Sequence, residues 1–160
     1  NHCDIIVGSV HAGMEYRGTH GSLQEKYGNI LRTLGAHLVI GNHSHVPEGV
    51  RVWNGVTQVY SLGNCSFGGN TGVDEEIHCL QGLIAQFDLY FEDGAYQGHQ
   101  LTLWPIHISG TTPENNYQPV LVQGEAAQQV MRMVQKDTEF RLNPYADGQG
   151  AVQDFVKWGK

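Results

Sequence analysis

Three histidines carry the first chemical signal in this chain. His11 closes the apolar run CDIIVGSVH (3–11), and His43 and His45 stand one residue apart in GNHSH (41–45), directly after LVI. In extended backbone, residues i and i+2 point the same way, so one turn can aim both rings into a shared space. Neutral imidazoles placed so are nitrogen donors for zinc, manganese, iron or nickel rather than magnesium or calcium. Three such ligands with an open position would make a catalytic site, not a closed structural one. The other histidines, His2, His20, His37, His78, His99 and His107, lack this spacing and read as structural or surface residues.

The elements that must position these residues are legible. Residues 3–11 form a buried-strand pattern, and 11–21 a glycine-punctuated loop. SLQEKYGNILRTLG (22–35) spaces Leu23, Tyr27, Ile30, Leu31 and Leu34 by three and four, which predicts a helix with one apolar face. Ser22 and Glu25 give a capping-box start, and Gly35 a stop. HLVI (37–40) is a second strand. Strand, helix, strand implies a short parallel βαβ unit, so His11, His43 and His45 emerge at one sheet edge, where open α/β sheets place ligands.

Beyond this unit the pattern turns to β-hairpins, around Asn54-Gly55 and Asp93-Gly94. On the first arm of the second hairpin, Leu83, Ala85, Phe87, Leu89 and Phe91 share a face. Residues 124–140 read as a helix with Ala127, Val130, Met131 and Val134 inward, and AVQDFVKW (151–158) as a short terminal helix.

The 160 residues, 40% apolar and 16% charged, fit one globular domain with a real core. A net charge of −7 without basic runs speaks against nucleic acid or anionic lipid as partner. No apolar stretch approaches the roughly 18 residues of a membrane span. No targeting segment opens the sequence, and Asn1 suggests a processed or excised piece of a soluble chain. Cys3, Cys65 and Cys79 form no CxxC; at most one bridge is open to them, and Cys65 reads as an inert buried thiol.

DIIVGSVHAGMEY (4–16), LGAHLVIGNHSHVPEGV (34–50) and VYSLGNCSF (59–67), in this order and spacing, resemble the bacterial capsule-synthesis CapA family. That family is named for poly-γ-glutamate capsule proteins and is similar to calcineurin-like metallophosphoesterases. The resemblance covers about residues 4–108. It implies that His11, His43 and His45 are metal ligands, that Glu15 faces the same cleft and that Asn64 lies near the site. Glu15 alone also reads as a solvated loop residue, and Asn64 and Ser61 as turn formers. The chain departs from the family's usual wording at His11-Ala12-Gly13, at Gly41-Asn42-His43-Ser44-His45 and at Cys65, with the ligands intact. The family's earlier G-D, N-L-E and N-N-H segments are absent from this sequence.

The resemblance therefore implies an α/β fold that is the C-terminal half of a calcineurin-like metallophosphoesterase β-sandwich flanked by helices. Residues 1–108 would be that half-domain and 109–160 its C-terminal helical extension. The partners expected are the missing N-terminal half, a second copy in a homo-oligomer, and the capsule polymer or its precursor. The place implied is the cell envelope or its extracellular face. Two functions fit: a phosphoesterase-type hydrolase using divalent zinc, manganese or iron, with Glu15 and Asn64 catalytic and this fragment inactive alone, or a non-catalytic capsule-assembly or polymer-binding module.

Overall fold

The computed structural model of the chain describes residues 3–67, 80–111 and 114–159, so His2, His78 and Cys79 lie outside the described residues. The first unit forms as its periodicity dictates. Strand β1 (Val7–His11) pairs parallel with β2 (Leu38–Asn42), and helix α1 (Ser22–Thr33) connects them. Strands β3 (Val50–Trp53) and β4 (Val56–Val59) make the first hairpin, and β4 pairs parallel with β2, giving the order β1-β2-β4-β3. Asn54 and Gly55 both take positive φ, 51° and 79°, as a two-residue hairpin turn requires.

The second sheet is built on a long hairpin. Strand β5 (Gln81–Glu92) pairs antiparallel with β6 (Ala95–His107) through the Asp93-Gly94 turn, with a register shift at Tyr90/Phe91. Strand β7 (Val120–Leu121) extends β6, and helix α2 (Gly124–Lys136) follows. Strands β8 (Ala151–Val152) and β9 (Val156–Lys157) also pair with β6. The chain is thus mixed α/β, with two sheets and two helices.

The two sheets and α2 share one core. Val50 and Val59 of the first sheet meet Leu83, Leu101 and Leu103 of the second and Ala127, Val130, Met131 and Val134 of α2. His99 joins the sheets in polar terms: its Nε2 lies 2.6 Å from Thr57 Oγ1 and its Nδ1 2.6 Å from Tyr96 Oη. One ring nitrogen donates and the other accepts, so both hydroxyls are satisfied by a neutral imidazole. Burial pushes this imidazole down to about 4.

Three sequence expectations are corrected. The apolar stripe of α1 does not face inward: Leu23, Tyr27, Ile30 and Leu34 are exposed, and Gln24 and Gly28 are buried instead. Gly28 lets the helix approach the Gln58 carboxamide, which donates to Gln24 O at 3.0 Å, so polar partners set the helix rotation. The helix is capped by Gly21, whose N–H donates to Gln24 Oε1 at 2.8 Å, not by the Ser22/Glu25 box. The terminal segment 151–158 is not helical, because β6 offers it an open edge and Ala151 and Gln153 bury there in alternation. Leu89 and Phe91, which the alternation sets on one face with Leu83, are exposed where β5 runs past the core.

Candidate active site at the ends of the parallel strands

The register of β1 on β2 sets His11 opposite Asn42. Two backbone hydrogen bonds then tie the departing loops, from Ala12 N to Asn42 O at 3.2 Å and from Tyr16 N to Ser44 O at 2.7 Å. His43 and His45 both take positive φ, 117° and 63°, as does Tyr16 at 60°. Non-glycine residues in this region cost on the order of 1–3 kcal/mol each and persist only where the surroundings hold them. The strain here falls on the residues that present the site.

The rings are brought into two neighbouring sets. His11 and His43 meet edge to face, with centroids 4.9 Å apart. His45 Nδ1 donates to Asn64 Oδ1 at 2.9 Å, which leaves Nε2 as the acceptor nitrogen, 4.0 Å from Glu15 Oε1. The same imidazole lies against Tyr16, at 5.4 Å between centroids, and Phe67, at 4.9 Å. Asn64 therefore fixes the His45 tautomer, and Glu15 faces the other ring nitrogen beyond hydrogen-bond distance.

Among the described residues, no group of three or more His, Cys, Asp or Glu stands where it could hold a metal ion. The residues present do not fit a complete centre. His11 and His43 offer a pair of imidazoles, short of the three protein ligands of a catalytic zinc site.

Beneath these loops lies a buried polar layer that the sequence did not signal. Glu48 is 0% exposed and accepts from Gln24 Nε2, while among the described residues its Oε1 has no hydrogen-bond partner. Burial, reinforced by the Asp137 charge, pushes its carboxyl up to about 7 against the opposing effects of Gln24, Ser44 and His20. Gln24 Nε2 also donates to Tyr60 O at 3.3 Å. His20, read from sequence as structural or surface, stacks on Tyr60 with centroids 3.7 Å apart. Its ring partners Tyr60 and Asp137 lie far along the chain, so local spacing did not mark it.

Comparison with known proteins falls on this part of the chain. Residues 1–68 match the sequence model of the family described as bacterial capsule synthesis protein PGA_cap. The PGA biosynthesis protein CapA of Bacillus subtilis (strain 168) is 38% identical over 66 residues, which are 41% of this chain and 17% of that protein. The chain thus matches only a small part of that relative's length. Among the described residues, no helix is long and apolar enough to cross a membrane. The matched segment carries β1, α1, β2, β3, β4 and every candidate site residue, and over that segment the chain is similar to the bacterial capsule synthesis protein family.

Proposed function

We propose that this chain is part of a CapA-type protein of poly-γ-glutamate capsule synthesis at the cell envelope, and that its strand-end histidines belong to a phosphoesterase-type hydrolytic site. The observation that carries the reading is the convergence of His11 and His43, together with the hydrogen-bonded His45–Asn64 pair beside Glu15, inside the family-matched segment. In this reading the sheets are the second half of a calcineurin-like sandwich. A divalent ion, zinc, manganese or iron, would take imidazole nitrogen from His11, His43 and His45 and further donors from polypeptide outside the described residues. Such an ion would supply Lewis acidity toward a phosphoryl oxygen. The chain's own part is to hold His45 in the tautomer whose Nε2 is open to such an ion, with Glu15 near that nitrogen. The 160-residue chain alone is inactive.

The incomplete ligand set favours a second reading, a non-catalytic capsule-assembly or polymer-binding module that keeps the fold. A net charge of −7 opposes tight binding of a polyanion by this segment unaided. Aryl-phosphate hydrolysis by the full-length protein, with and without His43→Ala, separates the two. The hydrolase reading expects turnover that falls by at least about a hundredfold in the variant. A well-folded, metal-loaded full-length protein without turnover would establish the binding module instead.

A further inference from the structure

The site loops are gripped at their far ends by a residue outside the family-matched segment. Asp137 is the C-cap of α2, and only 5% of its side chain is exposed. Its Oδ2 accepts from Gly49 N at 2.8 Å, and each carboxylate oxygen lies 3.1 Å from His20 N. Oδ1 also faces His20 Nδ1 at 2.8 Å. The other ring nitrogen of His20 faces Glu25 Oε1 at 3.2 Å, in the first turn of α1. Gly49 is needed here, since a Cβ at that position would overlap the Asp137 carbonyl. The next residue repeats the grip, with Val50 N donating to Thr138 Oγ1 at 3.0 Å.

His20 ends the loop that begins at His11 and carries Glu15. Gly49 ends the loop that carries His43 and His45. The two loops are joined near the site by Tyr16 N and Ser44 O, and at the opposite end by one carboxylate. A buried carboxylate surrounded by N–H donors has a well-defined place, because its charge is stabilised only in that geometry.

We propose that Asp137 is a positioning residue of the candidate site: through His20 and Gly49 it fixes the two loops that present Glu15, His43 and His45. The segment beyond residue 68 is then part of how the site is built. The proposal rests on reading these loops as the functional site, but its test reads their geometry, so the two can fail separately.

The test is NMR on the 160-residue chain, following the imidazole resonances of His43 and His45 and amide exchange over 12–21, 43–49 and the β5–β6 hairpin. Asp137→Ala should displace both ring signals and speed exchange in the two loops by at least about tenfold, leaving the hairpin unchanged. Asp137→Asn keeps one acceptor oxygen for Gly49 N–H, so it should restore protection over 43–49 while the His20 ring stays displaced. Thr138→Val removes the neighbouring hydrogen bond to Val50 without touching His20, and should leave His43 and His45 in place. Unmoved histidine rings in Asp137→Ala, or the same displacement in Thr138→Val, would overturn the proposal. Where Asp137→Ala fails to fold, Asp137→Asn against Thr138→Val decides: a displaced His20 ring and faster exchange over 12–21 in the first alone support it, and equal behaviour overturns it.

Discussion

Single buried ionisable side chains give this protein a pH dependence that can be worked out in sign. Glu48 has a folded value of about 7 against an ordinary 4.5, so the fold holds a proton there that the unfolded chain gives up. Its contribution is fully present below 4.5 and is lost as pH rises through 7. Glu48→Gln should abolish that slope: urea unfolding should show the wild type losing ground to the variant between pH 4.5 and 7. Parallel profiles would contradict the buried, protonated carboxyl. His99 acts in the opposite sense. Its value falls from 6.5 to about 4, so its contribution is full above 6.5 and is lost as pH falls toward 4. His37 is shifted the same way by burial and adds to that acid-side loss. His99→Gln should be less stable at neutral pH yet lose less on acidification. An unchanged acid slope would remove His99 from the account.

At the scale of elements, α1 shows where pattern and packing part company. Its exposed stripe of Leu23, Tyr27, Ile30 and Leu34 is the face that periodicity selects, and Gly28 and Gln24 are the face the sheet accepts. Gly28→Ala tests which effect rules. Helix propensity alone would gain about 1 kcal/mol, whereas overlap with the buried Gln58 carboxamide should cost on the order of 1–3 kcal/mol. Thermal melts should therefore show a lower Tm for Gly28→Ala; a higher Tm would return the helix to the rotation its stripe implies. Leu34→Ala, 74% exposed, should change stability by less than about 0.5 kcal/mol. The same contrast explains what was legible in the sequence. The Asn54-Gly55 and Asp93-Gly94 turns were readable because their chemistry is local: positive φ suits those residues. The placing of His11 beside His43 followed from parallel strands of matched length. The tail at 151–158 was not readable, since only the open edge of β6 makes it a strand. The Glu48 and Asp137 layers were hidden because their partners lie far along the chain.

At the scale of the whole molecule, the described residues leave one flank uncovered. Strand β1 pairs only with β2, its Val7 is 56% exposed, and the α1 stripe lies exposed on the connecting helix. An uncharged strand edge beside an apolar helix face invites association. Light scattering over a range of concentrations should show the 160-residue chain associating, and Val7→Lys combined with Ile30→Lys should suppress it. A wild-type monomer at every concentration would count against an uncovered flank. The same flank ends at His11, where the described residues bring together an imidazole pair and a hydrogen-bonded His45–Asn64 pair beside Glu15, and hold no group of three His, Cys, Asp or Glu placed for a metal ion. Metal stoichiometry and aryl-phosphate turnover of the 160-residue chain test this most directly, on protein free of tag histidines and dialysed against zinc or manganese. The account predicts at most one weakly held ion and no turnover. Two tightly bound ions, or turnover abolished by His43→Ala, would contradict it and show that these residues already carry a complete hydrolytic site.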